Sequence, residues 1–179
     1  MTDATAEQSV TDDDRPEPYS GLPGAFPYAF RASDSLLFKA YVPVALLLSA
    51  AITLVFSFGL ITQLAETGRV RGGTFTFSRS FFLFVGLLLV APLLAPVLSV
   101  ARRHRRTVSS VSYDRAIALA AFLFIGSIYL ALLTSAPAAL REPTQSAVVG
   151  FFYSLSPIAG VVPPLLATLL MYLTHRLLK

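Results

Sequence analysis

Four long apolar segments, none of which contains Asp, Glu, Lys, Arg or His, dominate the chain. They cover about residues 40–64, 80–101, 116–140 and 148–173. A helix needs roughly 20 mostly apolar residues to cross the hydrocarbon core of a bilayer, and each segment reaches that length. The pattern predicts an all-α, polytopic membrane protein in which residues 33–179 form a four-helix transmembrane bundle.

The first part of the chain, residues 1–32, has a different composition. It begins with acidic residues set among Thr, Ser, Ala and Pro, which bury too little apolar surface to fold. Residues 19–30 then mix aromatic residues with Pro and Gly, which we expect to prevent a helix and to place the rings in the headgroup layer. The sequence therefore predicts a disordered acidic tail and an interfacial Pro/aromatic segment, with Ser33 or Asp34 capping the first membrane helix.

Composition supports a membrane protein and removes several kinds of chemistry. Mean hydropathy is +0.68, and charged residues make up only 13% of the chain, against about 25% in a soluble domain. The chain has no cysteine, which excludes disulfides, thiolate metal sites and thiol nucleophiles. The net charge of +4 comes from short basic clusters beside the apolar segments. Such clusters indicate membrane orientation, so we expect no nucleic-acid partner.

The basic residues are distributed unequally between the two sides of the predicted bundle. All but four of the 14 lysines and arginines fall on the side of both termini and of the loop after the second segment. Positive residues favour the cytoplasmic side, which predicts a multi-pass protein of the cell membrane with both termini cytoplasmic. The four exceptions are Arg69, Arg71, Arg79 and Arg141.

One basic cluster follows the second apolar segment directly. Its arginines are Arg102, Arg103, Arg105 and Arg106. Topology alone explains such a cluster, but basic residues at a membrane surface also attract anionic lipid headgroups. These four residues are the predicted headgroup contacts.

Small side chains recur at every fourth position in two of the apolar segments. This spacing places them on one helix face, where they permit close contact between membrane helices. The predicted packing residues are Ala45, Ser49, Thr53 and Ser57 in the first segment, and Ser127, Ala131 and Ser135 in the third.

The fourth apolar segment is too long for one straight span. Residues 143–174 carry no charge, and several helix-breaking residues lie near their middle. We predict two helical pieces, about residues 144–155 and 164–178, which stack as one tilted span; the alternative is a first piece that enters the membrane and returns. The predicted break comprises Ser156, Pro157, Gly160, Pro163 and Pro164.

The apolar segments offer little catalytic chemistry. Their serines share the segments with no base, and only two histidines exist in the whole chain, both beside arginines. The residual enzymatic hypothesis is a headgroup-processing site at the cytoplasmic interface that uses His104 and Asp114. We expect no catalytic, metal or cofactor site.

These observations predict a small membrane protein that acts through helix packing. It would be an accessory or scaffold subunit of a membrane assembly, or a homo-oligomer, with the lipid bilayer and a membrane protein as its partners. The alternative is a small permease or channel for an uncharged or hydrophobic solute, with its site at the broken fourth helix.

Overall fold

The computed structural model describes residues 21–68, 73–106, 110–141 and 146–178, and its regular secondary structure is helical throughout these ranges. Four stretches are long and apolar enough to cross a membrane, which confirms the all-α, four-helix transmembrane fold. They are Leu36–Thr67, Thr76–Arg106, Val111–Thr134 and Pro157–Leu177. The α-helices are α1 (Gly21–Ala32), α2 (Leu36–Thr67), α3 (Gly73–Arg106), α4 (Val111–Thr134), α5 (Ala147–Ser154) and α6 (Val162–Leu177).

The bundle is arranged around α4. Helix α2 packs on α3 and α4, whereas α6 packs mainly on α4. We call the end where α2 and α4 begin and α3 and α6 end the basal end, and the opposite end the apical end. The buried apolar core lies between the basal end and the middle of the bundle. Its members on the four membrane helices are Phe38, Tyr41, Val42, Ala45, Leu93, Val97, Val100, Ala101, Tyr113, Ile117, Ala118, Ala120, Ala121, Phe124, Ala167 and Met171.

Helix α1 corrects the expectation that Pro and Gly prevent a helix before the first span. Pro23 lies in the first turn of α1, where the amide has no helical partner, so only Pro27 costs a hydrogen bond. In return, Ala25, Phe26 and Ala29 are buried, and α1 packs against α3 and α2. Tertiary packing therefore outweighs the breakers. The acidic residues 1–20 lie outside the described residues.

Hydroxyl caps fix the basal starts of α2 and α4. Ser35, and not Ser33 or Asp34, caps α2 by accepting from the Phe38 amide at 3.3 Å. Ser110 caps α4 by accepting from the Tyr113 amide at 3.4 Å. Each cap satisfies an amide that the first turn leaves free. Ser33 remains available for a different contact.

Helix α3 contains Pro92 and Pro96, which remove two amide donors from its hydrogen-bond ladder. Between them, the carbonyl of Leu93 accepts a hydrogen bond from the buried Tyr41 hydroxyl at 2.7 Å. The Tyr41 ring also packs edge-on against Phe122 of α4, with 5.4 Å between ring centroids. Tyr41 therefore joins three of the four membrane helices in the core.

The last two predicted spans have different bounds in the structure. Helix α4 ends at Thr134 instead of continuing to residue 140. Helix α5 has eight residues and is too short to cross a bilayer; Leu155 and Ser156 are extended, and a 3₁₀ helix, Pro157–Val161, leads into α6. The fourth segment therefore consists of two helical pieces, with two extended residues and the 3₁₀ helix between them.

Candidate functional site

The most polar buried site lies at the basal end and centres on Asp114, which is 1% exposed. Its Oδ2 accepts from the Ser33 hydroxyl at 2.6 Å and pairs with His104 Nε2 at 2.9 Å. Asp114 also lies in the first turn of α4, where the helix dipole favours a negative charge. Three separate segments, the α1–α2 linker, the end of α3 and the start of α4, are thereby joined at one carboxylate.

A second set of contacts continues this network towards α6. The hydroxyl of Tyr113 lies 2.6 Å from His175 Nδ1, and the Arg103 guanidinium lies 4.1 Å from the Tyr113 ring centroid. Arg103 Nη1 also donates to the carbonyl of Leu178 at 2.5 Å. The C-terminal end of α6 is thus held to α3 and α4. We call Ser33, Arg103, His104, Asp114, Tyr113 and His175 the basal network.

The order of groups in the basal network does not suit hydrolysis by a serine nucleophile. In such enzymes the histidine lies between the serine and the carboxylate and takes the serine proton. Here Asp114 lies between Ser33 and His104, and the Ser33 hydroxyl donates to the carboxylate. The structure therefore brings the predicted pair His104 and Asp114 together, in an arrangement that joins helices. Within the described ranges, no three His, Asp or Glu side chains are grouped to hold a metal ion.

The predicted headgroup arginines divide into two kinds. Arg103 is occupied by Tyr113 and the backbone of Leu178. Arg102, Arg105 and Arg106 are exposed in the last turns of α3, and Arg102 and Arg106 share one face of the helix.

The predicted small-residue face of α2 is used in only half of its length. Ala45 and Ser49 are buried in the core, whereas Thr53 and Ser57 are exposed. Among the described residues, the Ser49 hydroxyl is the one buried side-chain group without a hydrogen-bond partner. The face therefore continues past the core into a region that no other helix of the described residues covers.

That uncovered region is a groove between α2 and α3 in the apical half, with a volume of about 250 Å³. Thr53 and Ser57 line it on α2, and Gly86 lines it on α3. The two helices approach closely because aromatic rings lie against glycines. A Cβ on Gly59 would come within 2.9 Å of the Phe82 ring. We call this feature the apical groove.

The small-residue face of α4 contacts the break before α6. Gly160 approaches so closely that an added Cβ would lie 2.7 Å from Ser135 Oγ and 3.0 Å from the Ala131 carbonyl. Ser135 also donates to the Pro157 carbonyl at 3.3 Å, while Ser127 is buried and bonds within its own helix. Two features predicted separately, the α4 face and the break, are therefore one contact.

The carbonyls around the break largely find partners within the protein. Arg141 donates to the Tyr153 carbonyl at 2.7 Å, and the carbonyls of Phe152 and Ser156 accept backbone amides. Pro163 and Pro164, which we placed in the break, begin α6, where no amide donor is needed. These bonds weaken the case for a solute site at the break, since such a site needs free backbone groups.

Arginines at the apical end serve the same structural purpose. Arg79 donates to the carbonyl and hydroxyl of Thr67 through Nη2, both at 2.7 Å, and so connects the start of α3 with the end of α2. Arg69 and Arg71 lie outside the described residues. Both described apical arginines, Arg79 and Arg141, thus satisfy backbone carbonyls at helix ends.

A family model matches residues 1–179 of the chain. The matching model is described as Domain of unknown function (DUF8056). The chain belongs to this family. No curated protein and no solved structure shows significant similarity to it.

In this member of the family, sequence reasoning missed most of the basal network. Ser33 was expected at most to cap a helix, and no role was predicted for Tyr113 in a network with His175. Ser33 and Asp114 are 81 positions apart, and no local pattern joins them. A usable signal did exist: Asp114 and both histidines lie within a turn or two of a predicted span end, where polar groups from several helices meet.

Proposed function

We propose that this protein is a non-enzymatic membrane scaffold whose apical groove receives a transmembrane helix, and that this helix is α2 of a second copy. The observation that carries the proposal is the exposed small face of Thr53 and Ser57 beside the groove. Small residues at four-residue spacing allow membrane helices to approach closely. Lipid chains are poor substitutes for such a contact, because helix packing in membranes depends on close van der Waals fit.

A second copy is the simplest occupant of the groove. Two α2 helices related by a two-fold axis would place Thr53 and Ser57 against the same residues of the partner, so the surface is complementary to itself. Both side chains can also donate a hydrogen bond across the contact, which favours association in a bilayer. If the protein is instead an accessory subunit, a helix of another membrane protein occupies the same groove.

We further propose that the basal end is cytoplasmic in the cell membrane. Arg102, Arg106, Arg115 and Arg176 are exposed at that end. At the apical end, the described arginines Arg79 and Arg141 are bonded to backbone carbonyls. The excess of exposed positive charge supports a cytoplasmic basal side.

Cysteine cross-linking tests the homo-oligomer directly, because the natural chain has no cysteine. In native membranes, Ser57→Cys should form a covalent dimer several times more efficiently than Val55→Cys. Val55 is 67% exposed and lies about 200° around α2 from Ser57, so it is a matched control for accessibility. Ser57→Leu should also convert the detergent-purified protein to a monomer.

Three outcomes separate the forms of the proposal. Preferential cross-linking at position 57 supports the second copy. A monomer that retains another membrane protein, and loses it on Ser57→Leu, identifies the groove as the contact of an accessory subunit. Equal cross-linking of both cysteine variants, together with no partner that depends on Ser57, would overturn the proposal.

A further inference from the structure

A second cleft, separate from the apical groove, lies between α3 and α6 and has a volume of about 300 Å³. Its walls are mostly apolar: Pro92 and Ala95 lie on α3, Met171 lies on α6, and Ile117 of α4 contributes between them. The α3 wall from Ala91 to Ser99 rises about 12 Å. The cleft therefore extends along the helices from the basal region towards the middle of the bundle.

The basal end of this cleft is polar. Ser99 on α3 and His175 on α6 are its last lining residues in that direction, and Tyr172 lies one turn further in. His175 contacts Tyr113 of the basal network. A molecule in the cleft would thus have apolar surroundings along most of its length and hydroxyl and imidazole groups at one end.

Basic residues continue both walls beyond this polar end. Arg102 follows Ser99 by three positions and Arg106 follows by seven, so both extend the α3 wall along the same helix face. On α6, Arg176 follows Tyr172 by four positions and donates to its hydroxyl at 3.4 Å. All three arginines are exposed, and none of the residues that line the cleft is acidic.

We propose that the α3–α6 cleft binds an anionic membrane lipid, with an acyl chain between the helices and the headgroup among Arg102, Arg106 and Arg176. The apolar walls fit the chain, and the positive charge at the basal mouth is complementary to a phosphate. The chemistry at the two ends of the cleft differs as the two ends of a lipid differ.

Native mass spectrometry of the detergent-solubilised full chain tests the proposal. The probe is an equimolar mixture of phosphatidylglycerol and phosphatidylcholine with identical chains. We expect one bound phosphatidylglycerol, preferred over phosphatidylcholine by about tenfold. The double variant Arg102→Gln/Arg106→Gln should abolish most of this preference. Arg115→Gln, which removes one positive charge from the same end, is the control. Arg115 is exposed about 200° around α4 from the cleft residue Ile117, so this variant should keep the preference for phosphatidylglycerol.

A second pair of variants tests whether the acyl chain of the lipid lies in the cleft. Ala95→Phe fills the cleft and should abolish the bound lipid, whereas Ala51→Phe, at an exposed position of α2 away from Thr53 and Ser57, should retain it. Thr168→Leu on the opposite wall replaces Ala95→Phe if that variant does not fold, as judged by circular dichroism. Glycerol phosphate in excess should not displace the lipid, because it lacks the chain.

Several results would overturn the lipid site. Bound phosphatidylglycerol that survives in a folded cleft-filling variant would place the lipid elsewhere. An equal loss of preference in Arg115→Gln and in the double variant would reduce the effect to general surface charge. Displacement by glycerol phosphate would identify a site that binds a phosphate and makes no use of the acyl chain.

Discussion

The basal and apical halves of the bundle are built on different principles. In the basal half, α1 covers α3, the core side chains are inaccessible, and a buried carboxylate joins three segments. In the apical half, none of the described residues of α2 from 50 to 66 or of α3 from 76 to 92 is buried. Specific packing therefore holds the basal half, and the bilayer must surround most of the apical half.

This difference separates stability from interaction along the same helices. Helix α2 carries one small-residue face, yet its basal part is inside the core and its apical part borders an open groove. Substitutions of one chemical kind should consequently have unequal effects in the two halves. Free energies of unfolding, measured by denaturant titration in mixed micelles with circular dichroism as the signal, compare them directly.

The largest effect is expected at Asp114. Asp114→Ala removes the shared acceptor of Ser33 and His104 in the basal half and should lower the free energy of unfolding by about 3 kcal/mol. Asp34→Ala, which removes an exposed carboxylate from the same end, should change it little. Similar losses in both variants would show that the basal network does not hold this end of the bundle.

The next effect compares the two ends of the α2 face. Ala45→Leu adds volume to a fully buried position and should cost about 2 kcal/mol. Ser57→Leu makes a similar change at an exposed position and should leave the unfolding of the monomer nearly unchanged. A large loss of monomer stability in Ser57→Leu would mean that the apical half also depends on tight packing within one chain.

The fold class was readable from the sequence because four uncharged segments of membrane length admit few other structures. The difference between the basal and apical halves was not readable from the sequence. A four-residue spacing turns by about 40° at each step, so Ser57 lies about 120° around α2 from Ala45, and the positions of the other helices decide which of the two is covered. Helix α1 escaped prediction for a related reason, since the burial of Phe26 against the bundle compensates a proline that local rules count as a breaker.

Gly160 is a tightly packed position in the apical half, and its substitution should have the third largest effect. Gly160→Ala would place a methyl group 3.0 Å from the Ala131 carbonyl and should cost about 1.5 kcal/mol. Gly150→Ala in α5 has no atom within 4 Å of the added carbon, so this control should be neutral or slightly stabilising. A loss of stability in Gly160→Ala but not in Gly150→Ala would locate the tight apical contact at the α4–α6 side of the bundle. Equal effects of the two variants would show that Gly160 makes no tight contact with α4.

The smallest effect is expected from a single oxygen atom in the basal core. Tyr41→Phe retains the ring and its edge-on contact with Phe122 but removes the hydrogen bond to the Leu93 carbonyl. The two prolines remove the helical donors of the Leu88 and Pro92 carbonyls, which lie four residues before them, so the Leu93 carbonyl can keep the Val97 amide and loses only its second partner. We expect a loss of about 1 kcal/mol.

Tyr129→Phe is the matched control for that loss, since Tyr129 is 64% exposed on α4. The Tyr129 hydroxyl bonds to no buried group of the described residues, so its removal should hardly change the free energy of unfolding. If Tyr41→Phe also left the free energy of unfolding unchanged, the Leu93 carbonyl would not need its hydrogen bond from α2. The tight fit of the basal half would then rest on the core side chains and on Asp114 alone, and the contrast with the apical half would narrow to those contacts.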